Sequence, residues 1–205
     1  MDVSDLGEFG LIERLAKAVG ASKPEGLIVG IGDDAAAWRV NDSVVLATTD
    51  TLVEGVHFLP GRTPWADLGW KALAVNVSDI AAMGGQPQYA LVTLALPPQT
   101  AVPDVDALYG GLRECAREYG VAIAGGDVVR APQAVISVAL LGRAELDADG
   151  QARLMRRDAA RAGYVIAVTG TLGDSAAGLR RLKDGAPADD PLVRAEPRPK
   201  MVGER

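Results

Sequence analysis

Residues 65–96 read WADLGWKALAVNVSDIAAMGGQPQYALVTLAL, a long apolar segment, a glycine pair and then a short apolar segment. Apolar residues fall on more than one face of Trp65–Met83, which predicts a helix buried on several sides. Gln88–Leu96 is short and rich in apolar and β-branched residues, which predicts a strand. A buried helix that leads into a strand is typical of domains that combine helices with a sheet.

Further segments of the same two kinds flank this stretch. We predict strands at Gly26–Ile31, Ser43–Thr49, Val121–Ala124, Ala134–Ala144 and Tyr164–Thr169. We predict helices at Phe9–Val19, Val102–Tyr119 and Ser175–Lys183. This order indicates an α/β (α+β) fold with a mixed β-sheet packed against helices.

A polar stretch at Glu145–Arg153 marks the boundary between two predicted domains. The first domain covers residues 1–146. Residues 147–205 supply a linker and the first part of a second α/β domain, and the proline-rich Asp184–Pro199 is expected to be irregular. One strand and one helix cannot bury a core alone, so the second unit needs other chain segments to pack against.

Composition excludes several classes of protein. The chain of 205 residues has 27 acidic and 21 basic residues, a formal charge of −6, so we expect no nucleic-acid partner. No apolar run reaches the ~20 residues that span a bilayer, and the acidic N-terminus does not resemble a signal peptide, so we expect a cytoplasmic protein without a membrane partner. A single cysteine, Cys115, and a single histidine, His57, leave carboxylates as the main chemical groups.

Three aspartates follow predicted strands after Gly or Thr. Asp34 ends IVGIGDD, Asp50 ends VLATTD and Asp127 ends IAGGD. A fourth, Asp79, lies near the end of the apolar helix, where an ionised carboxylate costs several kcal/mol unless a cation compensates it. Oxygen ligands of this kind are those that Mg²⁺ prefers. The alternative is that these aspartates only form turns or cap helices.

Phosphate binding here would rely on metal ions and glycine backbone. Neither a G-x-x-x-x-G-K-[ST] nor a G-x-G-x-x-G motif is present. Four glycines either permit close approach of a ligand or simply form tight turns: Gly30, Gly32, Gly125 and Gly126. His57 is either a substrate contact or an ordinary surface or packed histidine. Arg156 and Arg157 either meet phosphate oxygens or are solvated.

Several of these segments together resemble thiamine-monophosphate kinase, of the superfamily that includes aminoimidazole ribonucleotide synthetase. The most specific one is Thr48–Phe58, TTDTLVEGVHF. The resemblance also runs through GEFGLI at residues 7–12, GIGDDA at 30–35, KALAVNVSDIAAMG at 71–84, GGD at 125–127 and VTGTLGDSAAGL at 168–179.

The resemblance implies ATP-dependent phosphorylation of thiamine monophosphate to thiamine diphosphate. It implies a homodimer in which the strands form a shared barrel, with several Mg²⁺ ions and ATP as co-substrate. The implied roles are Mg²⁺ ligands at Asp34, Thr48, Thr49, Asp50, Asp79 and Asp127, ATP contacts at Gly126, Asp127, Arg157 and Tyr109, and a thiamine monophosphate contact at His57. No residue is assigned as a general base, because the acceptor phosphate is already an anion.

Two alternatives remain at this point. The family's D-[IL]-S-D-G-L and G-G-E-D-Y segments are not found, so we expect most of the C-terminal domain to be missing, and a nucleotide- or metal-binding remnant without turnover is the second hypothesis. A different enzyme of the superfamily is the third. Selenophosphate synthetase needs a reactive Cys or selenocysteine near the N-terminus, and the hydrogenase maturation relative needs a C-terminal cysteine, whereas the cysteine here is Cys115.

Overall fold

A six-stranded mixed sheet forms the centre of the fold in the computed structural model, which describes residues 2–20, 24–168, 171–187 and 190–195. In sheet order the strands are β1 (Leu27–Val29), β2 (Ala36–Val40), β3 (Ser43–Val53), β6 (Val135–Ala144), β4 (Gly85–Leu96) and β5 (Ala122–Arg130). The helices are α1 (Val3–Val19), α2 (Trp65–Ala82), α3 (Val102–Tyr119), α4 (Asp174–Lys183) and α5 (Pro191–Ala195), with a 3-10 turn at Arg157–Ala159.

The sheet is mixed because β5 runs parallel to β4 while every other neighbouring pair is antiparallel. Helix α3 makes the crossover from β4 to β5, and β6 then inserts between β3 and β4. The pairing sets Asp50, Val138, Val92 and Gly126 in one row across four strands. The predicted fold class is confirmed.

The core lies on one face of this sheet, under α2 and α3. Side chains on that face, such as Leu46, Leu140 and Val92, are almost fully buried against the two helices. The opposite face stays open and exposes large apolar side chains, among them Tyr89, Leu91 and Leu141. Burial on one face and exposure on the other follow from the alternation of side chains along each strand.

Two glycines allow α2 and α3 to cross in close contact. A Cβ on Gly69 of α2 would lie 1.9 Å from the Leu108 carbonyl oxygen, and a Cβ on Gly111 of α3 would lie 1.7 Å from that of Ala66. Neither position can hold a larger residue unless the helices move apart. The crossing therefore fixes where α2 lies over the sheet.

The two longest helices match their predictions, but the strands differ in extent. Strands β3 and β5 continue to Val53 and Arg130, because their polar residues keep pairing with β6 and β4. Asp50 and Asp127 therefore lie within strands and not at strand ends, which corrects the prediction. Strand β2 was not predicted, and α1 starts at Val3 with a break in helical geometry at Gly7.

The second unit departs most from the sequence reading. The predicted strand Tyr164–Thr169 is wrong over residues 164–168, where Val165 and Ile166 are 92% and 98% exposed, and Thr169 lies outside the described residues. A strand needs a neighbour for its backbone groups, and the described residues provide none there. The segment expected to be irregular contains the short helix α5.

Across the described residues, none of the helices combines the length and apolarity needed to cross a bilayer.

Candidate functional site

Thr48 and Asp79 join the sheet to α2 at the heart of the predicted metal site. The Thr48 hydroxyl donates a 2.7 Å hydrogen bond to Asp79 Oδ2. Helix α2 therefore passes over β3 with Asp79 facing the strand, although the carboxylate is only partly buried. Asp79 faces the sheet because it shares the helix face of Leu68 and Ala72, both of which are buried.

The carboxylates of Asp34 and Asp50 lie close enough to Asp79 to change its titration. Burial raises the pKa of Asp79 most, the Thr48 hydrogen bond lowers it, and the charges of Asp50 and Asp34 raise it further. Asp50 lies on the same sheet face as Thr48, two residues along β3. The structure therefore places Asp34, Thr48, Asp50 and Asp79 in one neighbourhood, and their role as Mg²⁺ ligands stays a prediction.

Arg157 is the cation that faces this cluster. Its guanidinium hydrogen-bonds to the Asp34 carboxylate across 123 residues of sequence, and this bond with the charge of Asp34 raises the pKa of Arg157. The charge of Arg157 also lowers the pKa of Asp79. Over the residues that the structure describes, one arginine opposite three carboxylates leaves the cluster with excess negative charge.

Asp33 and Arg156 form a second, looser pair beside the first. The Asp33 carboxylate is 6% exposed, and Arg156 Nε lies 4.0 Å from it. Arg156 also contacts Asp158 at 2.8 Å. Sequence reasoning noted both arginines but gave no sign that the segment after β6 returns to the GIGDD turn.

A cavity of about 500 Å³ opens next to these two pairs. The end of α1, strand β1, the Gly30–Asp33 turn and Arg156–Asp158 line it. Its lining combines apolar residues such as Leu27 and Val29 with the charged Asp33 and the two arginines. This cavity was not predicted, because its walls come from three distant parts of the chain.

Thr49 is separated from the cluster by the pleat of β3. Alternate residues of a strand point to opposite faces, so Thr49 is directed to the open face while Thr48 and Asp50 are directed to α2. The side chain of Thr49 therefore does not share the face of Thr48 and Asp50.

His57 lies in the turn after β3 and is held by the backbone. Its Nδ1 accepts a 3.0 Å hydrogen bond from the Val53 N–H, which makes Nε2 the protonated nitrogen of the neutral ring. Lys71 of α2 donates to the His57 carbonyl oxygen at 3.1 Å. Lys71 and Asp79 are eight residues apart on α2, so His57 lies about 12 Å from the acidic cluster along the helix.

The remaining predicted residues lie at the other edge of the sheet. Gly126 and Asp127 belong to β5, three strand spacings or about 14 Å from β3. Asp127 pairs with Thr93 and faces the open side. Tyr109 lies on α3 beside a groove of about 450 Å³ that also contains Arg113 and Arg117. Within a single chain, these residues do not join the acidic cluster.

Gly126 has a structural reason to be glycine, apart from any nucleotide. A Cβ there would lie 1.7 Å from the Val92 carbonyl oxygen on the neighbouring strand. Pairing of β5 with β4 therefore requires glycine at this position.

The donor set suits a hard cation, although the cluster is not a finished metal cage. In the described parts of the chain, no three His, Cys, Asp or Glu side chains converge closely enough to hold a metal ion. Mg²⁺ is typically bound by one or two carboxylates, waters and substrate phosphates, so Asp34, Asp50 and Asp79 with the Thr48 hydroxyl fit its chemistry. Burial is the main cause that raises the pKa of Asp79, and the charges of Asp50 and Asp34 add to it, so a cation bound beside these carboxylates would favour the ionised form.

One buried polar residue at this helix was not singled out from the sequence. Asn76, one turn before Asp79, is 0% exposed. Its Oδ1 finds no hydrogen-bond partner among the residues that the structure describes. The sequence feature that could have identified Asn76 is a side-chain amide within the apolar pattern of α2, three residues before the carboxylate of Asp79.

Several known proteins of similar sequence are thiamine-monophosphate kinases. The kinase from Aquifex aeolicus is 41% identical over 182 residues, covering 89% of this chain and 55% of the relative. The kinase from Bacillus subtilis is 44% identical over 156 residues, covering 75% and 46%. The chain therefore spans about half the length of the curated relatives it matches.

The fold comparison agrees with the sequence comparison. The structure of AaThiL complexed with AMPPCP and TMP superposes with a TM-score of 0.86 at 37% identity, covering 97% of this chain and 61% of that one. The family model for the N-terminal domain of AIR synthase related proteins matches residues 32–144. These residues contain β2 to β6 and the acidic cluster of Asp34, Asp50 and Asp79. The resemblance inferred from the sequence motifs is confirmed, and this chain belongs to the AIR synthase related protein family.

Proposed function

We propose that this chain supplies the N-terminal, cation-binding half of a kinase that uses ATP to convert thiamine monophosphate to thiamine diphosphate. The observation that carries the proposal is the acidic cluster of Asp34, Asp50 and Asp79, found in a chain 41% identical to a thiamine-monophosphate kinase. AaThiL, which shares the fold, has been solved with AMPPCP and TMP, which are an ATP analogue and, in this proposal, the acceptor.

The cluster is suited to two polyanionic substrates only when it carries divalent cations. Mg²⁺ held by Asp34, Asp50, Asp79 and the Thr48 hydroxyl would offset the repulsion between carboxylates and phosphates. Bound there, the ions would supply electrostatic stabilisation of charge on the transferred phosphoryl group.

The chain's own residues then orient the two substrates. Arg157 can leave Asp34 and pair with a phosphate of ATP, since guanidinium binds phosphate oxygens as well as carboxylates. The Nε2–H of His57 is free to donate to thiamine monophosphate, because the turn already engages Nδ1. We propose direct transfer: an oxygen of the acceptor phosphate bonds to the γ-phosphorus, and the bond to the bridging oxygen of ADP breaks.

A second copy of the chain is part of the proposal. The open sheet face exposes Tyr89, Leu91, Val129 and Leu141, and a barrel shared by two copies would cover them. Asp127 is on this face with Thr93, so Gly126 and Asp127 would meet nucleotide near that interface. Thr49 and Tyr109 keep their assignments as a metal ligand and an ATP contact only within this assembly. The cytoplasmic location stays a prediction of the sequence.

The test combines binding and turnover. Calorimetric titration of ATP with Mg²⁺ into the chain should give saturable binding that disappears without the cation. Incubation with ATP and thiamine monophosphate should then give thiamine diphosphate. Asp50→Asn combined with Asp79→Asn should abolish the Mg²⁺-dependent binding, and unaltered binding in that variant contradicts the cluster model.

Binding without turnover is the second candidate, favoured by the finding that no three His, Cys, Asp or Glu side chains of the described residues converge closely enough to hold a metal ion. In that case Mg²⁺-dependent ATP binding persists but no thiamine diphosphate accumulates. A phosphorylated protein isolated during turnover would instead contradict direct transfer.

A further inference from the structure

The side-chain amide of Asn76 lies in the core with one half of its hydrogen-bonding capacity unused. Its Nδ2 donates a 3.0 Å hydrogen bond back to the Ala72 carbonyl oxygen of its own helix. Its Oδ1 has no partner in the described part of the chain, although the residue is fully buried. A buried acceptor without a donor loses its hydrogen bonds to water and gains none in return, so an apolar residue would serve this core position better.

Contacts along α2 locate this orphan oxygen next to the acidic cluster. The helix runs antiparallel to β3. Ile80 and Leu46 both lie beside Gly85, and the Asp79 carboxylate accepts a hydrogen bond from Thr48. Lys71 donates to the His57 carbonyl oxygen beyond the end of the strand. Asn76 lies between the last two contacts on the helix. After Thr48, the next residue of β3 on the face directed to α2 is Asp50.

We propose that Asn76 Oδ1 is a neutral oxygen donor of the divalent-cation site, contacting the ion or one of its bound waters beside Asp50 and Asp79. Amide carbonyl oxygens are hard ligands, and they also hold the water molecules of hydrated cations. The Nδ2 bond to Ala72 fixes which end of the amide is presented, so the oxygen is oriented before the ion arrives. A neutral donor adds a ligand without adding to the charge of three carboxylates.

This inference rests on the proposed cation-dependent function, and its test separates the two. Mn²⁺ serves as the probe, titrated into the full 205-residue chain, with free Mn²⁺ followed by electron paramagnetic resonance and Mg²⁺ added as competitor. Asn76→Leu keeps the volume and removes the oxygen, while Asn76→Asp keeps an oxygen at the same place. Val77→Ala, the next residue and also buried, is the matched control for loss of stability alone.

Asn76→Leu should weaken Mn²⁺ binding about tenfold, the lower end of what outer-shell partners of a metal contribute. It should not lower the Tm of the cation-free chain, because it removes an unsatisfied polar atom. Asn76→Asp should keep Mn²⁺ affinity near that of the parent chain, whereas Val77→Ala should lower the Tm and leave affinity unchanged. If Asn76→Leu does not fold, Asn76→Ala takes its place in the comparison.

Three results overturn the inference in different ways. If the parent chain binds Mn²⁺ and Asn76→Leu binds it equally well, Asn76 takes no part in cation binding and the proposed function stands. If affinity falls in proportion to stability in all variants, including Val77→Ala, the role is merely structural. If the parent chain itself binds no Mn²⁺, the cation site of the proposed function fails and the role of Asn76 fails with it.

Discussion

The hydroxyl of Thr48 and the carboxylate of Asp79 are joined by a 2.7 Å hydrogen bond that ties the middle of β3 to the end of α2. The donor favours the ionised carboxylate and fixes its orientation, and it lowers the pKa of Asp79 against the opposing effect of burial. This one contact therefore affects both the electrostatics of the acidic cluster and the packing of helix on sheet.

Thr48→Val removes this donor and keeps the side-chain shape. We expect Mg²⁺ affinity to fall about tenfold, because ligands that lose a supporting hydrogen bond are less well oriented. Thr51→Val is the control, since Thr51 bonds to Ser137 on the open face of the sheet. Calorimetric Mg²⁺ titration of both variants is the measurement, and an equal loss in the two would contradict the role given to Thr48.

Asp79→Asn should stabilise the cation-free chain at neutral pH while weakening cation binding. Burial and neighbouring carboxylates raise the pKa of Asp79 above its ordinary value of 3.8, so the folded chain holds this proton to higher pH than the unfolded chain. Stability is then lost as pH rises from about 4 through the raised pKa. Asparagine keeps an oxygen for Thr48 and removes the charge, so Tm at pH 7 should rise by about 2 °C.

The pH dependence supplies the check on that prediction. The difference in Tm between Asp79→Asn and the parent chain should be near zero below pH 4 and should reach its full size at neutral pH. Saturating Mg²⁺ should reverse the order, since it stabilises only the chain that binds it. A difference that is constant across the pH range would show that the charge of Asp79 is not its cause.

Arg157→Gln should have opposite effects on the two ligands of the site. The guanidinium pairs with Asp34, so its removal frees a carboxylate, and Mg²⁺ alone should bind about threefold more tightly. ATP should bind about tenfold more weakly, because a phosphate partner is lost. Arg161→Gln removes the same charge from an exposed position nearby in sequence and should change neither affinity. Weaker Mg²⁺ binding in Arg157→Gln would contradict the competition between arginine and cation.

The sequence alone predicts the features of this protein that depend on local pattern. The apolar periodicity of α2 and α3 identified both helices, and Asp79 was notable as a carboxylate in an apolar helix. Only the motif resemblance assigned Thr48 and Asp79 to one set of Mg²⁺ ligands, and the hydrogen bond between their side chains was not predicted.

Features that depend on distant pairing could not be read in the same way. Strand β3 carries the polar residues Thr49 and Asp50 near its centre, where the alternation of apolar and polar residues is lost. The chain stays extended there because it pairs with β6. Arg157 reaches Asp34 across 123 residues, and no local signal encodes that return. The apolar run at Tyr164 satisfied the strand pattern, yet strands form only where a neighbour is available.

Two adjacent glycines of α3 provide a matched pair for the helix crossing. Gly111→Ala would bring a Cβ within 1.7 Å of the Ala66 carbonyl oxygen, so we expect the free energy of unfolding to fall by about 1–3 kcal/mol. Gly110 has no heavy atom within 4 Å of the added Cβ, so Gly110→Ala should stabilise the helix by about 0.5–1 kcal/mol. Urea unfolding of both variants is the measurement. Equal effects would mean that α2 and α3 do not cross as closely as described.

Two substitutions of His57 can distinguish a role in the turn after β3 from a role in substrate binding. Its Nδ1 accepts the Val53 N–H, and asparagine can present an oxygen at that position while lacking any group at the place of Nε2. His57→Asn should therefore keep the Tm of the parent chain, whereas His57→Ala should lower it. Both variants should bind thiamine monophosphate about tenfold more weakly, since each lacks the Nε2 donor, and ATP binding should be unchanged. If His57→Asn binds thiamine monophosphate normally, the histidine serves only to close the turn after β3, and the contact to the acceptor must come from another residue.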